Sequence, residues 1–326
     1  MATATQIKEL LKTHGDGNEE RFYAIALQVA AAEAKKGHMR LAEEIRTLVD
    51  RAKQKRTSRA MGQIAHVAQP QGEAAELLEE IHDNRRLSDL VLDPTLSSRI
   101  SRILEEQRNT SRIKATGLRP RQRLLFTGPP GCGKTFAASA LANELGEPLF
   151  VIRLDSLINR YLGESLSKLR VIFDAINRTK AVYLFDEFDS IGFTREFTSD
   201  VGEMRRVLNG FLMQIEKLKS ESLVIAATNF GERLDKALYR RFDDLVEFGL
   251  PSASEVWRII QKLLTDIPTS KLSQKEIADA AAGLSYSEIT RACEEAIKDK
   301  IISDAEQVTS TMLLNAIKER RLFNPR

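Results

Sequence analysis

Gly128-Pro129-Pro130-Gly131-Cys132-Gly133-Lys134-Thr135 decides how the rest of this 326-residue chain is read. The apolar run Arg123–Thr127 leads straight into it, and a helix-forming segment, Phe136–Leu145, follows. A strand, a glycine-rich loop and a helix, in that order, is the context a phosphate-binding loop requires. The glycines let the backbone wrap a phosphate. Successive N–H groups then form an anion nest at the positive end of the helix. Gly128, Pro129, Pro130, Gly131, Cys132, Gly133 and Phe136 are the expected nucleotide contacts. Lys134 can reach the β- and γ-phosphates, and the Thr135 hydroxyl suits Mg2+. The expected ligand is therefore a nucleoside triphosphate with Mg2+.

A second run, Ala181-Val182-Tyr183-Leu184-Phe185, ends in Asp186-Glu187. A buried strand ending in two carboxylates is costly without a reason, because unpaired charge is expensive there. A phosphate-binding loop supplies the reason: Asp186 would hold the Mg2+ shell, and Glu187 would polarise the attacking water. A third run, Leu223–Thr228, ends in Asn229. Ligands of parallel sheets sit beyond the carboxyl ends of the strands, so all three motifs are expected on one edge. There Asn229 would position the water.

Further out, Leu149–Arg153 and Leu245–Phe248 repeat the short apolar pattern, with amphipathic helical segments between most of these runs. This predicts an α/β fold, a mostly parallel sheet sandwiched by helices, over residues 74–250. After Pro251 the strands stop, and residues 251–326 read as a second, smaller all-helical domain of about four helices. Residues 1–53 read as a small helical module: Phe22, Ile25, Ala26, Val29 and Ala30 recur at helical spacing, as do Leu41, Ile45, Leu48 and Val49. Between them, residues 54–73 are basic and then glutamine-rich. Arg51, Lys53, Lys55, Arg56 and Arg59 come without an acid, which reads as a solvated tether.

The composition, 42% apolar and 29% charged, excludes a disordered or fibrous chain. The net charge of +3 is too small to argue for a nucleic-acid or membrane partner. The charge is uneven, with 12 basic and 8 acidic side chains in the first 60 residues. Two cysteines, Cys132 and Cys293, exclude a disulfide framework. Cys132 stands at a helix N-terminus, which favours thiolate, so oxidation of this thiol is a conceivable block to ATP binding. No apolar run approaches the roughly 18 residues of a membrane helix, and the first 30 residues lack a signal-peptide pattern. The expected location is cytoplasmic. There is no H-E-x-x-H, and the four histidines are scattered before the phosphate loop.

Taken in order, the motifs over about residues 88–300 resemble the AAA ATPases, in the group containing katanin, spastin and the membrane-bound proteolytic AAA enzymes. Gly128–Thr135 matches Walker A, Tyr183–Glu187 matches Walker B, and Asn229 within Ala226-Ala227-Thr228-Asn229 matches sensor 1. Leu234-Asp235-Lys236-Ala237-Leu238-Tyr239-Arg240-Arg241-Phe242-Asp243 resembles the second region of homology. By that match Arg240 and Arg241 are arginine fingers, which reach the γ-phosphate of a neighbouring subunit. Many members carry a further arginine a few residues later; this sequence is shorter, and which arginine acts stays open. Gly283-Leu284-Ser285-Tyr286-Ser287-Glu288-Ile289 resembles the lid motif Gly-Phe-Ser-Gly-Ala-Asp-Ile, with Tyr286 and Ser287 in place of small residues. Leu90 and Val91 fall where the family packs the adenine.

Asn159-Arg160-Tyr161-Leu162-Gly163-Glu164-Ser165 resembles the family's first pore loop, with Tyr161, Leu162 and Gly163 as its aromatic, aliphatic and glycine. Phe193–Glu203 would be a second, polar pore loop, and Arg205 and Arg206 fall where inter-subunit arginines lie. The resemblance implies a homo-oligomeric ring, a hexamer, that threads a polypeptide substrate to unfold or disassemble it. Residues 1–53 would recruit substrate, an adaptor or a separately encoded protease. The rival reading is a nucleic-acid-associated ATPase, a loader or transposition helper using Arg51–Arg59 on phosphates. The Tyr-Leu-Gly segment speaks against nucleic acid as the partner.

Overall fold

The computed structural model describes residues 72–154, 157, 164–192, 201–234, 236–270 and 272–323, with isolated positions at 30, 43 and 47. Residues 1–66 and 67–326 form separate compact units. The helical module expected at 1–53 and nearly all of the linker at 54–73 lie outside the described residues. So do Tyr161, Leu162 and Gly163.

Six strands form one sheet: β1 (Glu79–Ile81), β2 (Arg123–Thr127), β3 (Leu149–Arg153), β4 (Val182–Asp186), β5 (Leu223–Thr228) and β6 (Asp244–Glu247). Their spatial order is β1-β3-β4-β5-β2-β6. All neighbours are parallel except β1, which runs antiparallel to β3. β5 thus lies between β4 and β2, with Leu124 opposite Ile225 on one side and Leu184 opposite Ile225 on the other. That order brings the carboxyl ends of β2, β4 and β5 side by side. The strand ends differ from the sequence expectation by one residue: Ala181 precedes β4, and Phe248 follows β6.

Strands β2 to β5 read as near-continuous apolar runs because both faces are covered, yet side chains still alternate between them. Phe150, Ile152, Tyr183, Phe185, Val224 and Ala226 face one core, with helices α3 (Ser165–Arg178) and α4 (Val201–Glu216). Leu169, Ile172, Phe173 and Ile176 give α3 its apolar stripe. Phe211 of α4 meets the rings of Phe173, Phe185 and Phe188 at 5.5, 5.1 and 4.8 Å, edge-on geometry that adds to the area buried. Leu124, Phe126, Val151, Val182, Leu184 and Ile225 face the other core, with α1 (Pro94–Arg108) and α2 (Lys134–Leu145). Ala137, Ala138, Ala140 and Ala142 of α2 are buried; their small side chains let this helix lie close against the sheet. α2 begins at Lys134, two residues earlier than the sequence suggested, and ends on Gly146 in the left-handed region.

The C-terminal region has its own core, built from α5 (Ala253–Leu263), α6 (Gln274–Ala281), α7 (Tyr286–Ile302) and α8 (Ser310–Phe323). α5 and α7 both open with a reciprocal capping box, Ser252 with Glu255 and Ser285 with Glu288. No described helix is long and apolar enough to cross a membrane.

Candidate active site

Backbone geometry shapes the phosphate loop. Gly128, Gly131 and Gly133 have φ of 138°, 74° and 95°, a region that favours glycine. Space sets a second requirement. A Cβ on Gly128 would lie 2.0 Å from the Phe248 carbonyl oxygen, and one on Gly131 would lie 2.6 Å from Ser285 Oγ. Lys134, the first residue of α2, is buried. Its Nζ donates to the Gly128 carbonyl at 2.6 Å, to the Pro129 carbonyl at 3.0 Å and to Asn229 Oδ1 at 2.8 Å. Burial pulls its ammonium below the ordinary lysine value, and Cys132, Asp186 and Asp189 act in the opposite direction.

Across the β2–β5–β4 edge, Thr135 Oγ1 donates to Asp186 Oδ2 at 3.2 Å. Asp186 Oδ1 accepts from the Glu187 N–H at 2.9 Å. Glu187 is exposed with φ of 52°, a left-handed conformation that costs a residue with a Cβ on the order of 1–3 kcal/mol. The turn directs the chain out of the sheet immediately after Asp186. Phe188 returns to the core, and its N–H donates to the Ala227 carbonyl at 2.9 Å.

Asp189 belongs to this cluster, although its sequence position did not announce it. Its Oδ1 accepts from Thr228 Oγ1 at 3.3 Å and from the Asn229 N–H at 3.5 Å. Asp189 therefore holds the turn that aims Asn229 at Lys134. The four-residue run Asp186-Glu187-Phe188-Asp189 carried the only signal, a third acid just past the strand end.

Arg240 and Arg241 sit elsewhere, after a short helix, Lys236–Tyr239. Three neighbours of Arg240 are anchored. Tyr239 OH donates to the Gly231 carbonyl. Arg241 Nε donates to Glu216 Oε1 at 2.7 Å, and the Phe242 ring meets Phe188 at 6.3 Å. Arg240 itself is exposed. Asp235 lies outside the described residues.

The lid touches the loop directly. The Ser287 N–H donates to the Gly131 carbonyl at 3.0 Å. On the opposite side, Leu90 lies 3.4 Å from where a Cβ on Gly133 would stand, while Val91 is buried in the lid's core. The Phe136 ring lies 4.7 Å beneath the Arg85 guanidinium.

Cys132 corrects an expectation. The helix N-terminus favours thiolate, but the side chain is 2% exposed. Burial pushes the thiol's pKa up, outweighing the lowering by Lys134. It is a packed, protonated thiol. Of the second expected pore loop, Phe193–Glu203, residues 193–200 lie outside the described residues and 201–203 open α4 as helix. Arg205 and Arg206 continue that helix, with Arg206 exposed.

Comparison with known proteins adds the following. The family model described as "ATPase family associated with various cellular activities (AAA)" matches residues 124–250. An uncharacterized AAA family ATPase of Sinorhizobium fredii is 35% identical over 98% of this chain and 96% of its own length. The ATP-dependent zinc metalloprotease FtsH of Metamycoplasma arthritidis is 30% identical over 54% of this chain, which spans 25% of that protein. A Methanothermobacter thermautotrophicus protein named as a homolog of a 26S proteasome regulatory subunit is 30% identical over 62% of this chain and 55% of its own length. The crystal structure of the FIGL-1 AAA domain superposes with a TM-score of 0.60 at 23% identity, covering 75% of this chain and 86% of that one.

Proposed function

Because the chain belongs to the AAA family of ATPases, we propose that it is a ring-forming motor that hydrolyses ATP to remodel polypeptides. One observation carries the catalytic part. The turns after β2, β4 and β5 bring Lys134, Asn229, Thr135 and Asp186 together, within 3.2 Å of one another in bonded pairs.

The residues present fit ATP with Mg2+. Gly128 and Gly131 leave no room for side chains, which suits backbone wrapped on phosphate. Thr135 Oγ1 and Asp186 Oδ2, already paired, are the oxygens that would hold the metal. When bound, Mg2+ neutralises charge developing on the phosphates. Lys134 would exchange its carbonyl partners for phosphate oxygens while Asn229 keeps it oriented. Glu187, turned out of the sheet beside Asp186, is the group to orient and deprotonate the attacking water. Arg240 would serve a neighbouring subunit's nucleotide. It is the exposed arginine of the pair, on a turn whose other residues are pinned.

The remodelling part rests on Tyr161-Leu162-Gly163 and on the printed names of two partly matching relatives, a protease and a proteasome-subunit homolog. In a hexameric ring Tyr161 would grip polypeptide without demanding a sequence, and Gly163 would allow the tight turn. Residues 1–53 would recruit substrate, adaptor or a separate protease. The expected site of action is the cytoplasm.

Tagged Glu187→Gln, which should bind ATP without turning it over, can be purified from the native cell beside Glu187→Gln/Tyr161→Ala. A polypeptide retained only by the single variant is the expected result. Identical retained sets, or nucleic acid alone, would remove the threading reading.

A further inference from the structure

Tyr286 stands where the resembling lid motif carries a glycine, and the structure gives its side chain specific work. Its ring packs against both the sheet core behind the phosphate loop and the core of the lid. Its OH donates to Glu255 Oε1 at 2.9 Å. Glu255 is buried, and its second oxygen accepts from the Ser252 N–H at 2.8 Å and Ser252 Oγ at 2.6 Å.

These contacts close a circuit around the phosphate loop. The Phe248 backbone abuts Gly128, where even a methyl group has no room. Three residues separate Phe248 from Ser252, the junction between sheet and lid. Ser252 binds Glu255, Glu255 binds Tyr286, and the next residue, Ser287, returns to the loop through its N–H on the Gly131 carbonyl. The Ser287 N–H bond, with Ser285 and Ser287 packed against Gly131, couples the loop to the start of α7, so a shift of one strains the other. The phenol–carboxylate bond is the side-chain link that keeps that start in register with the junction.

We propose that Tyr286 is a positioning residue, latched to Glu255, which holds the first turn of α7 on the phosphate loop and thereby sets how slowly bound nucleotide leaves. This rests on the reading of the loop as a nucleotide site. A hydrogen bond to a buried carboxylate is among the stronger neutral–charged pairs. Burial, then Glu255, pushes the phenol's pKa up, so the donor proton stays in place at physiological pH. The lid has other tethers, including Arg258 Nη1 to the Leu92 carbonyl at 3.3 Å. Loss of the latch should therefore change a rate and leave the fold intact.

The test uses the full chain and a fluorescent ADP, mant-ADP, chased with unlabelled ADP in a stopped-flow instrument. Tyr286→Phe keeps the ring and deletes the donor; release should be about tenfold faster. Adding Tyr286→Phe to Glu255→Gln should accelerate release by less than twofold more, because both act on one bond. Release from Tyr286→Phe within twofold of wild type overturns the latch, as do effects of the two substitutions that multiply. Failure of the wild type to bind mant-ADP overturns the nucleotide reading and the latch with it. Binding with unchanged release overturns the latch alone.

Discussion

Lys134 and Cys132 are two residues apart and are both buried, with opposite consequences. The lysine has three acceptors within 3.0 Å and remains the loop's cation. The cysteine's thiol makes a long contact to the Pro130 carbonyl, at 4.0 Å, and burial raises its pKa. Iodoacetamide at pH 7.5 should therefore leave Cys132 unmodified in the folded protein for hours and label it within minutes in guanidinium, as read by mass spectrometry of the loop peptide. Cys293, pushed up to about 12 by burial in the lid core, should follow the same pattern. Rapid labelling of native Cys132 would mean that the loop opens far more than its packing implies. The sequence made Lys134 legible because eight consecutive residues define its surroundings. It misled on Cys132 because burial there comes from outside the loop: Phe126 of β2, Leu141 of α2 and the remote Phe248 share its core.

At the scale of elements, the turn that carries Arg240 is anchored on both sides. Beyond the anchors on either side of Arg240, Asp243 closes the turn onto β2. Its carboxylate accepts from the N–H groups of Gln122 and Arg123, each at 2.9 Å, and from the Arg123 guanidinium. Burial alone would raise this carboxyl's pKa, but the Arg123 and backbone bonds prevail and hold it below the usual range. A depressed folded-state value stabilises the protein above the ordinary aspartate range and is lost as pH falls through the lowered value. Asp243→Asn should thus lower the urea midpoint at pH 7, with the gap to wild type closing as pH falls below the ordinary aspartate range. A gap independent of pH would show that the carboxylate's charge contributes nothing. The sequence left β1 unread for a different elemental reason: its three residues are Glu79-Glu80-Ile81, too short and too acidic for an apolar pattern. It forms because the edge of β3 offers unpaired backbone groups.

For the whole molecule, the central expectation is that activity belongs to an assembly. An arginine supplied by a neighbour typically contributes about 10³–10⁵ in rate. Mixing wild type with a fivefold excess of Arg240→Ala subunits should lower turnover per wild-type subunit several-fold, measured as phosphate release. Arg241→Ala, which removes the ion pair with Glu216, should do so less. Equal effects would assign the finger role to both arginines, and undiminished turnover would refute catalysis in trans.

The sequence by itself determined the class of the fold, the phosphate-loop motif and the three turns expected on one sheet edge. These follow from local patterns: continuous apolar runs, glycines at fixed spacing, and charges stranded at strand ends. Only the tertiary structure decided that β5 inserts between β2 and β4, which makes Asn229 a partner of Lys134. It likewise decided that Asp189 supports that pairing, that Cys132 is sealed, and that Tyr286 finds Glu255 31 residues away. Each of these depends on which surfaces are buried against which. A linear sequence gives the periodicity of a face but not the identity of the element that covers it.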